Sequence, residues 1–96
     1  MNQETDEIRI SRTVNVVNDE GIHMRPADMF VRLANQFSSD VEVIKNGQTV
    51  DGKSIMSILM LGAEAGAQLE IGASGDDAQA AIEALAQLVE GGFAQN

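Results

Sequence analysis

The chain has no cysteine, no tryptophan and no tyrosine, one proline, one histidine, and only 6 basic residues against 15 acidic ones. Each shortage closes off a class of chemistry. Without cysteine there is no disulfide framework, no thiolate metal site and no thiol nucleophile. One histidine alone does not make a zinc centre, so no metal is expected, and no other cofactor. A formal charge of −9 on 96 residues leaves no basic footprint for a phosphate backbone. Nucleic acid is therefore a poor partner, and an anionic membrane equally so. No apolar run approaches membrane-spanning length. Residues 1–7 are polar and acidic, without the basic start and apolar stretch of a secretory signal. They read as a disordered leader, and a cytoplasmic protein is the expectation. Residues 8–93 are enough for one core and too few for two.

What is present falls into short periodic segments. Ile8, Ile10, Val14 and Val16 alternate, with Arg12 interrupting, which predicts a half-buried strand over Ile8 to Val17. Asn18-Asp19-Glu20-Gly21 is turn chemistry. Ala27, Phe30, Val31, Ala34 and Phe37 recur at helical spacing and predict a helix over Met24 to Phe37, with Asp28 and Arg32 placed to pair on its outer side. Asn46-Gly47, between Val41–Lys45 and Gln48–Val50, is a strong hairpin signal. Ser54 to Leu61 is a short helix with more apolar residues than a one-sided core needs. Ile55, Met56, Leu59 and Met60 are expected to divide between the core and an exposed docking patch, a use to which methionine is suited. Gln68 to Ser74 alternates as a strand. Ser74 begins a capping pattern with Asp77, and Ala78, Ala81, Ile82, Leu85, Leu88 and Val89 form the stripe of a last helix stopped at Gly91-Gly92. The order β-α-β-β-α-β-α predicts an α/β two-layer open sandwich, with a four-stranded, largely antiparallel sheet covered by helices.

The single histidine falls in Gly21-Ile22-His23-Met24-Arg25-Pro26-Ala27. Pro26 is tolerated in a first helical turn, where a missing N–H costs nothing. His23 is therefore placed at or next to an N-cap, beside unpaired backbone N–H groups and the positive end of the helix dipole, with Arg25 adding a full charge. An imidazole beside an anion site can carry a phosphoryl group. It can equally be a plain cap or surface residue, and the residues by themselves leave both readings open.

Two other patterns compete. Gly47-Gln48-Thr49-Val50-Asp51-Gly52-Lys53-Ser54 fits the P-loop consensus, but a phosphate cradle needs converging, unpaired N–H groups, and here Gly47 closes a hairpin and Gln48 to Val50 form a strand. A P-loop nucleotidase also needs a parallel sheet and an acidic strand for magnesium. Ser54 at a helix start is placed like the prosthetic serine of small acidic acyl carriers. Those are all-helical and carry Asp-Ser-Leu, whereas this chain has Lys53-Ser54-Ile55 and a hairpin. Ser54 is expected to act as an N-cap whatever else it does.

Taken together, Gly21-Ile22-His23-Met24-Arg25-Pro26-Ala27 and Gly52-Lys53-Ser54-Ile55-Met56 resemble the phosphorylation-site and regulatory-serine segments of the HPr family. These are the histidine-containing phosphocarriers of the phosphoenolpyruvate-dependent sugar phosphotransferase system. The order and spacing of segments fit from about Ile8 to Phe93. The resemblance implies an open-faced β-sandwich in which His23 takes a phosphoryl group on Nδ1 from phosphorylated Enzyme I and passes it to a histidine of Enzyme IIA. Arg25 would stabilise the phosphoryl oxygens, Ser54 would be the site of an HPr kinase/phosphorylase, and Met24, Ile55, Met56 and Leu59 would meet partners. Such a protein is a carrier in a relay rather than an enzyme. Three positions depart from the family pattern: Met24 stands where alanine is usual, Asp28 where a small uncharged residue is usual, and Ser57 where glycine is common. A nitrogen-system or regulatory paralogue is the alternative within the family. Outside it, the alternative is a non-catalytic interaction module using the Ile55–Met60 patch.

Overall fold

Alternation and helical spacing resolve into seven elements in the computed structural model, which describes residues 8–94. The leader expected over residues 1–7 lies outside the described residues. Strand β1 (Arg9–Asn15) leads to helix α1 (Met24–Ala34). Strands β2 (Asp40–Lys45) and β3 (Gln48–Asp51) form a hairpin, followed by α2 (Ile55–Leu61), β4 (Gln68–Ser74) and α3 (Ala78–Glu90). The sheet order is β1-β4-β2-β3, and every neighbouring pair is antiparallel. Lys45 pairs with Gln48 directly across the hairpin turn. Asn46 and Gly47 have φ of 52° and 83°, the left-handed pair that a two-residue hairpin requires. The open-faced, helix-covered antiparallel sheet is the architecture expected from the sequence.

One face of the sheet supplies the core. Val14, Leu69, Ile71, Ala73, Val41 and Val43 are buried on it, while Ser11, Thr13, Asn15 and Gln68 on the opposite face are exposed. Helix α3 packs on β1 and β4, α2 lies against β3, and α1 fits against both helices. Alanines at positions 78, 81 and 86 of α3 are fully buried, so its backbone approaches the sheet closely, and Ile82, Leu85 and Val89 fill the space between. Each large apolar side chain so buried stabilises by roughly 1.5–3 kcal/mol. Among the described residues no helix is long and apolar enough to cross a membrane.

Three boundaries differ from the sequence expectation by more than one residue, each for an identifiable reason. Strand β1 stops at Asn15, because the next residue bonds to a loop: Val16 N–H donates to Ala67 O at 2.9 Å and Val16 O accepts from Gly66 N–H at 2.7 Å. Helix α1 stops at Ala34 rather than Phe37. The Asn35 side chain donates to Val31 O at 2.9 Å, and Gln36 and Phe37 close i→i+3 bonds onto Leu33 and Ala34, the tightening that ends helices. Phe37 still packs against the core from this turn. Ser74 does not begin the last helix. It pairs with Arg9 and with Asp40 as the end of β4, and Asp77 is the N-cap residue of α3.

The Asp77 carboxylate is committed elsewhere. It accepts from the Ser39 hydroxyl at 2.5 Å, from Ser39 N–H at 2.9 Å and from Ser38 N–H at 2.8 Å, fastening the loop before β2 to the start of α3. Ser39 is the one buried polar residue among those described. These bonds, the Ser39 hydroxyl first, hold the Asp77 carboxyl down from 3.8 to about 2. The unfolded chain therefore binds the proton first, and the fastening is complete above about pH 4 and lost as pH falls through about 2. An Asp77→Ala variant should melt below the parent at pH 6, and the gap should narrow from about pH 4 downward and close below about pH 2. Thermal melts across that range check this, and an unchanged gap would mean the carboxylate is not what fastens the loop.

Candidate functional site

The site is built on the loop that carries the chain from β1 into α1. Gly21 has φ of 71°, donates its N–H to Asn18 O at 3.1 Å, and accepts from Asn18 Nδ2 at 2.6 Å. Ile22 is buried, and its N–H donates to Ala63 O at 2.9 Å. The loop is thus stitched to the segment following α2 at two places, Ile22 to Ala63 and Val16 to Ala67 and Gly66. Gly21 is the only residue type that fits here. A Cβ would lie 2.5 Å from Ala63 O and 2.8 Å from Glu64 Cα, which are backbone atoms that no rotamer change can move aside.

His23 follows as the N-cap residue of α1, with φ −85° and ψ −160°. Its carbonyl accepts from Ala27 N–H at 2.9 Å, so the main chain starts the helix. The imidazole makes no capping bond and is exposed. Pro26, third in the helix, has no N–H to satisfy. The first turn of α1 holds no acidic side chain, so no carboxylate of its own occupies the positive end of the dipole. Asp28 is one turn in and bound at 2.8 Å by Arg32 Nε, the pairing expected from the sequence. Arg25, exposed, lines a shallow depression with Asn18, Asp19, Glu20, Met29 and Phe93. Phe93 reaches it from beyond α3 with φ of 59°.

Ser54 lies at the start of a different helix, and α1 and α2 pack side by side. Its hydroxyl accepts from Ser57 N–H at 3.3 Å, the expected N-cap. Lysines brace this region: Lys53 Nζ donates to Phe37 O at 2.8 Å and Lys45 Nζ to Leu61 O at 3.3 Å. The second places a cation at the negative end of a helix that has no basic residue in its last turn. The apolar surplus of α2 divides as expected. Ile58 and Leu61 are buried, Ile55 and Leu59 are half-buried against the core, and Met56 and Met60 are 64% and 73% exposed. Met24 is 62% exposed at the start of α1. The P-loop pattern is dismantled by the fold, since Gly47 sits in the hairpin turn and Gln48–Asp51 is paired with β2. Among the described residues no cluster of acidic or imidazole side chains could hold a metal ion. Sequence reasoning placed Asn18 in a turn and Lys53 in the rejected P-loop pattern but missed their contacts and that of Lys45, which are to backbone carbonyls and leave no mark on apolar periodicity.

Comparison with known proteins agrees with this geometry. Residues 10–91 match the family model described as the PTS HPr component phosphorylation site. The chain is 37% identical over 86 residues to the phosphocarrier protein HPr of Neisseria meningitidis, covering 90% of this chain and 97% of that one. It is 34% identical over 84 residues to the HPr of Treponema pallidum, covering 88% and 96%. The crystal structure of HPr from Bacillus anthracis superposes with a TM-score of 0.82 at 41% identity, covering 84% of this chain and 96% of that one. That of HPr-C-His from Thermoanaerobacter tengcongensis gives 0.86 at 40%, covering 91% and 98%. An open-faced antiparallel sheet with these matches defines a small component of the phosphotransferase system. The chain belongs to the HPr family, whose members are phosphocarriers.

Proposed function

We propose that this protein is a phosphoryl shuttle in which His23 accepts a phosphoryl group from phosphorylated Enzyme I and delivers it to a histidine of an Enzyme IIA. The observation that carries the reading is the exposed imidazole at the start of α1, unspent on capping, with no acidic residue in the helix's first turn. The lone pair of Nδ1 attacks phosphorus as the donor's P–N bond breaks, and the reverse exchange occurs on the acceptor. A helix terminus and one arginine stabilise the added charge without enclosing it. That suits a carrier, because a site that bound its phosphorylated state tightly would not release the group. Alignment and exclusion of water are left to the partner, which docks on Met24, Ile55, Met56 and Leu59. The relay is cytoplasmic in this reading. The test is incubation with phosphoenolpyruvate and Enzyme I, which should add one acid-labile, base-stable phosphate. No uptake would return the chain to the class of interaction modules.

Arg25 stabilises the phosphoryl oxygens in this scheme. Losing a charge-assisted bond of roughly 1.5–3 kcal/mol in the transition state alone slows transfer by about ten- to a hundredfold. Single-turnover rates of Arg25→Ala, with circular dichroism to confirm the fold, measure this. An unchanged rate would remove Arg25 from the mechanism.

Ser54 is the regulatory position, through electrostatics. A phosphate there adds about −1.5 to −2 charges at a helix start that tolerates them, so the fold survives. The same charge sits beside Ile55, Met56 and Leu59, where it opposes docking by desolvation. Ser54→Asp, with a single charge, should keep a native circular dichroism spectrum while raising the apparent KM in phosphorylation by Enzyme I. Unaltered kinetics would place the docking surface elsewhere.

A further inference from the structure

We infer that Asn18 is a positioning residue for phosphoryl transfer at His23; the inference rests on the reading of His23 as the acceptor. The peptide between Gly21 and Ile22 is held at both ends: its carbonyl accepts from Asn18 Nδ2 at 2.6 Å and its N–H donates to Ala63 O at 2.9 Å. Asn18 also accepts Gly21 N–H through its own carbonyl. Those bonds orient the last peptide plane before Ile22 and thereby set the direction in which the chain enters His23. Below them Ile22 is buried, and above them the imidazole makes no capping bond. Its aim is therefore inherited from the backbone that Asn18 fixes.

The chemistry of the side chain supports a specific role. Asn18 Oδ1 is buried and has no hydrogen-bond partner among the described residues, which is unfavourable for a polar atom. The contact with Gly21 O requires a donor at this place, and of the isosteric pair asparagine and aspartate only the amide supplies one at neutral pH. A carboxylate would set negative charge against a carbonyl oxygen. Asn18 touches no reacting atom in this scheme. It acts through the Gly21–Ile22 peptide, and a small misdirection of an in-line nucleophile lowers the rate with little effect on docking.

The experiment compares the full-length parent with Asn18→Ala and Asn18→Asp as substrates of phosphorylated Enzyme I, separating kcat from KM, with melting curves for each. Asn18→Ala should transfer on the order of tenfold more slowly at saturation with KM unchanged. A parental kcat, or a loss confined to KM, overturns the inference. If the alanine variant does not fold, Asn18→Asp decides. Its rate relative to the parent should rise as pH is lowered from about 8 to about 5, because the protonated carboxyl regains a donor. A flat ratio overturns the inference. His23→Ala, run beside them, separates the two levels: labelling of that variant defeats the acceptor reading itself, whereas an unlabelled His23→Ala with a parental Asn18→Ala defeats only the role of Asn18.

Discussion

His23→Ala should fold like the parent and take up no phosphate from phosphoenolpyruvate and Enzyme I. The folding half follows from the site. The imidazole is exposed and makes no capping bond, and the helix-starting bond from Ala27 N–H uses the His23 carbonyl, which alanine keeps. Surface changes of that kind stay within about 0.5 kcal/mol. The chemical half follows from the sequence, which holds no second imidazole. Loss should therefore be complete rather than graded, unlike the partial losses expected for Arg25 and Asn18. A kinase acting on Ser54 would use a hydroxyl on another helix, so phosphorylation there should survive the substitution. Melting curves and quantified phosphate uptake check both halves, and residual Enzyme I-dependent labelling would place the acceptor elsewhere.

Gly21→Ala should be the most destabilising single methyl that can be added near the site. A side chain at φ of 71° costs about 1–2 kcal/mol. Forcing a Cβ to within 2.5 Å of Ala63 O and 2.8 Å of Glu64 Cα adds the cost of overpacking, typically about 1–3 kcal/mol. The total, about 2–5 kcal/mol, is a large share of the roughly 5–15 kcal/mol that holds a domain of this kind together. At about 4–8 °C per kcal/mol, the melting temperature should fall by about 10 °C or more. Whatever folded protein remains must shift the loop away from Ala63, so transfer by His23 should slow as well. Gly47→Ala provides the control. It also has positive φ, at 83°, but its Cβ would meet nothing within 4 Å, so it should cost only the conformational part. Equal losses at the two positions would show that the contact with the Ala63–Glu64 backbone does not matter.

The parts of this fold that rest on neighbours in sequence are legible in the residues alone. Alternation marks β4, Asn46-Gly47 marks the hairpin, Pro26 and the spacing of Ala27, Phe30 and Ala34 mark the start of α1, and Ser54 marks its own cap. The errors lie where distant segments compete for a residue. Ser74 reads as a helix cap until two strands pair with it. Asp77 caps nothing with its side chain, because Ser38 and Ser39, remote in sequence, claim its carboxylate. Phe37 continues the apolar spacing of α1 and yet packs from a turn, since a large ring reaches the core from either conformation. The site divides in the same way. His23, Arg25 and Ser54 stand out as residue types in a local pattern. Asn18 and Gly21 stand out only as the two ends of a turn, and which atom of the Asn18 side chain meets Gly21 is not written in a residue pattern. The Ile22 bond to Ala63 is set by how one loop crosses another, and no periodicity records that.

The central claim is that a phosphoryl group resides on Nδ1 of His23. It is tested most directly by phosphorus–nitrogen coupling in protein labelled with nitrogen-15 at its single histidine and phosphorylated through Enzyme I. A one-bond coupling to Nδ1, lost on mild acid treatment, is the result expected. A coupling to Nε2, or a stoichiometric phosphate with no coupling to either ring nitrogen, would contradict it.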